Sequence, residues 1–162
     1  MSPQPPCSAL ALDVGRRRVG LAGCDPLGLT VTPLPALQRR SLDLDAELVA
    51  SLASRRQARV MVVGLPLDGG QQLTLQARHC LRYGRQLADA LADRGLALPL
   101  VWVNEHGSTR EAEERFGLRG DRTGRLDSAA AALLLEQWLR EGSALNPEPA
   151  SPPTPPPQPH DP

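Results

Sequence analysis

Three carboxylates stand where solvation alone explains an acid poorly. Asp13 ends the apolar run Ala9-Leu10-Ala11-Leu12, and a carboxylate inside a core strand is costly unless a metal ion or hydrogen-bond donors compensate it. Glu105 comes just after Val101-Trp102-Val103, at the C-terminal end of an apolar run, where open α/β sheets place their sites. Asp127 opens a helical pattern after Gly124-Arg125-Leu126. Converging at one sheet edge, the three would make an oxygen-only donor set suited to Mg²⁺ or Mn²⁺. Two such ions ~3.5–4 Å apart activate a water and stabilise the leaving oxygen of a phosphodiester. Each acid also has a plain structural reading. Asp13 would accept backbone N–H bonds in a turn, Glu105 would be a loop acid or helix-entry charge, and Asp127 would be a helix N-cap.

The cations point to the same substrate. Arg16, Arg17 and Arg18 crowd one turn beside Asp13, Arg78, Arg82 and Arg85 recur at helical spacing, and Arg119, Arg122 and Arg125 precede Asp127. Any one cluster alone is more often a solvated face. Flanking candidate metal ligands, the clusters suit a nucleic-acid backbone, which is bound mainly through charge.

The elements that must carry these residues follow from periodicity and punctuation. Ser8 to Val14 and Arg18 to Cys24 read as strands joined by a hairpin at Gly15-Arg16-Arg17. Thr30 to Leu37 contains Pro33 and Pro35, which restrict it to a sheet edge. Ser41 is a helix N-cap, followed by early acids Asp43, Asp45 and Glu47, late cations Arg55 and Arg56, and an apolar stripe expected at Leu44, Leu48 and Leu52. Val60 to Gly64 is a short buried strand. A helix follows from about Leu73 to Arg94, with Leu73, Ala77, Leu81, Ala88 and Leu91 inward, and then a strand from Leu98 to Val103. Ser108 and Glu111 form a capping box for a helix to Phe116. The last helix runs from about Leu126 to Arg140 and packs through Ala130, Leu133, Leu134 and Trp138. The order β-β-β-α-β-α-β-α-α predicts an α/β fold, a mixed five-stranded sheet with helices on both faces.

With 162 residues, the chain is long enough for one ordinary domain and too short for two enzyme lobes. All 18 cations are arginine, balanced by 18 acids, which excludes a uniformly basic coat but not a local basic surface. Aromatics at 2% disfavour a base-stacking platform. Nine of the 17 prolines lie from Pro147 onward and three precede Cys7. We therefore expect disordered segments over 1–7 and 142–162 around a folded domain at 8–141. Cys7, Cys24 and Cys80 lack metal spacing and read as reduced thiols. With no secretory start and no apolar run of about 18 residues, the expected location is cytoplasmic.

The run from Leu12 to Gly28, LDVGRRRVGLAGCDPLG, resembles the opening motif of the YqgF family, described as Holliday-junction-resolvase-like and as pre-16S rRNA nucleases. Val62-Val63-Gly64-Leu65-Pro66-Leu67 resembles that family's second motif, and Arg125-Leu126-Asp127-Ser128-Ala129-Ala130-Ala131 its last. The similarity spans about Ala9 to Leu139. It implies a ribonuclease H-like fold, a divalent-metal nuclease with Asp13, Glu105 and Asp127 as catalytic and metal-binding residues, and a role in ribosomal RNA maturation. The family's strand order would set the Glu105 strand two places from the Asp13 strand, almost 10 Å away at ~4.8 Å per strand. Asp68, after the intervening strand, is thus a reserve ligand, or else a turn residue before Gly69-Gly70.

One motif departs from the family pattern of Asp-Glu-Arg, a bulky residue and two hydroxyl residues. Here it reads Asn104-Glu105-His106-Gly107-Ser108-Thr109. His106 in place of the arginine would hold a phosphate only when protonated, or else is an ordinary loop residue. Structured pre-rRNA is the expected partner. A branched-DNA resolvase and a non-cutting binding or assembly factor are the alternatives. A phosphotransferase, which shares the Asp-x-Gly opening, needs a longer two-lobed chain.

Overall fold

The structure, a computed structural model, describes residues 7–67, 73–105, 114–115, 117 and 124–142. Five strands and three helices are found among them: β1 (Ala9–Val14), β2 (Arg18–Cys24), β3 (Val31–Gln38), α1 (Leu42–Arg56), β4 (Val60–Leu65), α2 (Leu75–Asp93), β5 (Leu100–Asn104) and α3 (Arg125–Glu141). The sheet order is β3-β2-β1-β4-β5, antiparallel through β3, β2 and β1 and parallel through β1, β4 and β5. Most of the expected helix from Ser108 to Phe116 lies outside the described residues. Among the described residues no helix is long and apolar enough to cross a membrane.

Strand alternation divides the sheet into two unlike faces. Leu10, Leu12, Val14, Val19, Leu21, Met61, Val63 and Trp102 pack on one side under α1 and α2. Ala9, Ala11, Ala22, Cys24, Val60, Val62 and Val103 pack on the other under α3. The α3 side is built from small residues, so that helix lies close to the sheet with Ala131, Ala132, Leu134, Leu135 and Trp138 against it. Cys7, Cys24 and Cys80 are free thiols.

Ser41 caps α1 as expected, its hydroxyl accepting the Leu44 N–H at 3.2 Å. The buried stripe of α1 differs from the expectation. Leu44 and Leu48 are exposed, and Ala46, Val49 and Ala53 face the core with Asp45. Asp45 is admitted because its carboxylate accepts the Tyr83 hydroxyl at 3.0 Å and the Arg40 N–H at 3.1 Å. In α2, Leu73 lies before the helix and is exposed, while Cys80, Tyr83, Gly84 and Leu87 join Ala77, Leu81 and Leu91 inside. Ala88 is half-buried against the same core.

Candidate nucleic-acid active site

Asp13 follows Ala9 and Ala11 on the α3 face, and small neighbours open the space around it. In β2 it stands opposite Gly20. In β4 the register Leu12↔Val63 brings Gly64 alongside it. A Cβ at Gly20 would collide with the carbonyl of Asp127 and come within 2.7 Å of the Ser128 nitrogen. The missing side chain is therefore what lets the first turn of α3 rest on β2. The contact is fixed by Leu21 N–H, which donates to the Ser128 hydroxyl at 3.2 Å in a buried setting.

Gly64 plays the matching part on the other side. The Glu105 N–H donates to the Leu65 carbonyl at 2.8 Å, which extends the β4–β5 ladder by one rung. Glu105 then shares the α3 face with Val101 and Val103. Its Oε2 lies 3.5 Å from where a Gly64 Cβ would stand. The long side chain thus lies over Gly64 of β4, the strand between β5 and β1.

Asp127 lies in the first turn of α3, where an acid also meets the positive end of the helix dipole. The N-cap itself is Gly124, with φ of 92° in the left-handed region, so the Asp127 carboxylate is not spent on capping. It lies 3.2 Å from Arg18 Nε, both side chains partly exposed. Burial pushes the Asp13 carboxyl well above the ordinary carboxylate range, and the charges of Glu105 and then Asp127 add to the rise. Asp13 thus feels both other acids.

Among the described residues, no three Asp, Glu, His or Cys side chains are drawn tightly enough around one point to hold an ion as they stand. The donor chemistry nevertheless fits a hard divalent cation, with oxygen atoms only and a desolvated carboxylate under the field of two more. Arg18 meets Asp127 through Oδ2, so Oδ1 could face an ion while the pair is kept. Asp68, His106, Ser108, Thr109, Arg119 and Arg122 lie outside the described residues.

Arg16 and Arg17 are exposed on the β1–β2 turn and Arg18 is half-buried; Arg78 and Arg82 are exposed on α2, with Arg85 half-buried, and Arg125 is exposed at the start of α3. Sequence reasoning missed Arg39, which ties that turn down. Its Nη1 donates to the Gly15 carbonyl at 2.8 Å, and its own N–H donates to the Arg17 carbonyl at 2.8 Å. Ser128, Gly20 and Gly64 were visible only as parts of motifs. Their spatial roles depend on partners far away in the chain.

The architecture recurs in the solved structures of resolvases. A Thermus thermophilus RuvC in complex with a Holliday junction substrate matches 85% of this chain and 98% of its own, with a TM-score of 0.52 and 13% identity. A second Thermus thermophilus RuvC structure matches with the same score and 15% identity. At such identities the likeness defines a fold class, the ribonuclease H-like fold of RuvC-type resolvases. The chain belongs to the RuvX family, whose model, described as Holliday junction resolvase, matches residues 7–141. A protein named "Putative pre-16S rRNA nuclease" from Parasynechococcus marenigrum (strain WH8102) is 63% identical over 142 residues, covering 88% of this chain and 87% of its own. The protein of the same name from Prochlorococcus marinus (strain MIT 9313) is 58% identical over 142 residues, covering 88% and 85%.

Proposed function

We propose that this chain is a metal-dependent nuclease that hydrolyses phosphodiester bonds in the 5′-end processing of pre-16S rRNA. The observation that carries the reading is the placement of Asp13, Glu105 and Asp127 on one face of the sheet, with Asp13 under the charge of the other two. Asp13, Glu105 and Asp127 would hold one or two Mg²⁺ or Mn²⁺ ions, with Asp68 in reserve. A divalent ion there supplies water activation and charge neutralisation at the phosphate. The chain's own part is to orient the carboxylates through Gly20, Gly64 and Ser128 and to hold the phosphate backbone near them. Arg16, Arg17, Arg18, Arg78, Arg82, Arg119, Arg122 and Arg125 are the backbone contacts of this proposal. Arg18, paired with Asp127, is the one adjacent to the acids.

RNA is favoured over branched DNA because the relatives at 58–63% identity bear the rRNA nuclease name. The DNA reading draws on the family model's description and on neighbours that share only the fold. The test is cleavage of a structured pre-16S rRNA fragment and of a four-way DNA junction, with Mg²⁺, Mn²⁺ or EDTA, by wild type and Asp13→Asn. Metal-dependent cutting of the RNA, reduced about a hundredfold or more in the variant, is expected; that factor corresponds to roughly 3 kcal/mol of barrier. Cutting of the junction alone would move the substrate to DNA. Cutting of neither by folded protein would leave a binding factor.

A further inference from the structure

A second group of basic side chains gathers beside the β1–β2 turn on the α1–α2 side, the face of the sheet opposite the three carboxylates. Arg39, in the β3–α1 connection, sends Nη1 to His79 Nε2 on α2 at 2.8 Å. Its guanidinium lies over the Tyr83 ring, 4.2 Å from the centroid. Tyr83 in turn donates its hydroxyl to Asp45 of α1, so the guanidinium is held from below by a packed, hydrogen-bonded platform. Arg16 from the turn and Arg82 from α2 stand near enough to act on the imidazole by charge. Among the described residues none of Arg16, Arg39 and Arg82 forms an ion pair with a carboxylate. Three elements thus bring together four basic groups, three of them fixed cations, while the Asp45 carboxylate is bonded to the Tyr83 hydroxyl of the platform rather than to any of the four.

The protonation state of the imidazole follows from donor inventory. Arginine has no acceptor and keeps its charge, so His79 Nε2 must be the bare nitrogen, with the proton on Nδ1. Desolvation, and then the charges of Arg39, Arg16 and Arg82, hold the imidazole below the usual histidine range. An anion placed over the group reverses that balance.

We propose that Arg16, Arg39, His79 and Arg82 form a second phosphate site for the nucleic-acid backbone, in which His79 takes one proton from solvent as the phosphodiester binds. The proton enters at Nε2. The Arg39–His79 hydrogen bond then breaks, since both partners are donors, and Arg39 Nη1 and His79 Nε2–H both turn to the phosphate oxygens. Arg39 keeps its bond to the Gly15 carbonyl, so the turn carrying Arg16 and Arg17 stays anchored while the backbone is gripped. The inference rests on the nucleic-acid reading above and adds to it a site and a linked proton.

The experiment is binding of a fluorescently labelled pre-16S rRNA leader fragment to the full chain in EDTA, compared at about pH 8 and about pH 6 for wild type and His79→Gln. Each unit by which the phosphodiester raises the imidazole's titration midpoint strengthens binding about tenfold below both midpoints. Wild type should therefore tighten more than His79→Gln on acidification, by up to about tenfold for each unit of that rise, because only wild type carries an imidazole there to take up the proton. An equal pH dependence in the two proteins would overturn the proposal while leaving RNA binding intact. Absence of RNA binding at either pH would remove the underlying reading as well. Ring NMR of wild type gives a second readout, simplified by there being only three histidines. The His79 midpoint should move upward when RNA is added, and an unmoved midpoint would also overturn the proposal.

Discussion

At the scale of single residues, the site depends on an acid placed where the fold alone would prefer a neutral group. The Asp13 carboxyl titrates above its ordinary range because burial disfavours its charge and Glu105 and Asp127 repel it. The sign of the consequence is fixed by linkage. A carboxyl that binds its proton more tightly when folded stabilises the fold below the unfolded midpoint of roughly 4, and loses that contribution as pH rises through the folded midpoint. In EDTA, Asp13→Asn should therefore match wild type in melting temperature near about pH 4 and exceed it by several degrees at about pH 8. A variant that melts lower than wild type across the whole range would show that Asp13 serves the fold. The Arg18–Asp127 pair is weaker in this respect, since both groups are partly exposed and such pairs contribute at most about 1 kcal/mol.

At the scale of elements, two glycines separate positioning from packing. Alanine at Gly20 would press a Cβ into the backbone of Asp127 and Ser128, which cannot yield without moving the whole first turn of α3. At Gly64 the first obstacle is Leu134 Cδ1 at 2.6 Å, the end of a side chain that can rotate. Gly20→Ala should cost more stability than Gly64→Ala, with overpacking of about 1–3 kcal/mol at Gly64. Thermal denaturation reads this at about 2–4 °C per kcal/mol. At Gly64 the new methyl would meet the Glu105 carboxylate only at ordinary contact distance, 3.5 Å from Oε2, so cleavage by Gly64→Ala should fall by less than about tenfold.

The elements also show how far the sequence could be read. The β1–β2 hairpin, the Ser41 cap and the span of α3 were legible because each is fixed by residues close together in the chain. The inward face of α1 was not. Of the expected stripe Leu52 does pack against the core, but Leu44 and Leu48 are exposed, because α1 packs beside α2 through small residues and turns Asp45 toward Tyr83, 38 residues away. The acids of the proposed site stand out in the sequence by residue type and position, whereas the way Glu105 lies over Gly64 does not. That side chain lies beside a glycine in a neighbouring strand, and no local pattern announces the pairing. Arg39 was missed for the same reason, its partners Gly15 and His79 lying 24 and 40 residues away.

At the scale of the whole molecule, a formal net charge of zero conceals a division of labour. The acids occupy one face of the sheet, and the Arg39 platform lies on the α1–α2 side, with the β1–β2 turn between them. A bound backbone would pass around that turn and touch both. Because each phosphate contact releases counterions, the logarithm of the affinity should fall with the logarithm of salt concentration, by roughly 0.7–0.9 per contact. Arg16→Ala should reduce the slope by about one, a change that a salt titration of RNA binding measures directly. An unchanged slope would place the backbone elsewhere.

The sheet itself ends, on one side, in a strand that lacks two of its eight backbone donors, at Pro33 and Pro35. A neighbouring chain laid along β3 would find rungs missing from the ladder it needs. The two prolines thus deny an edge-on neighbour a continuous ladder along that margin.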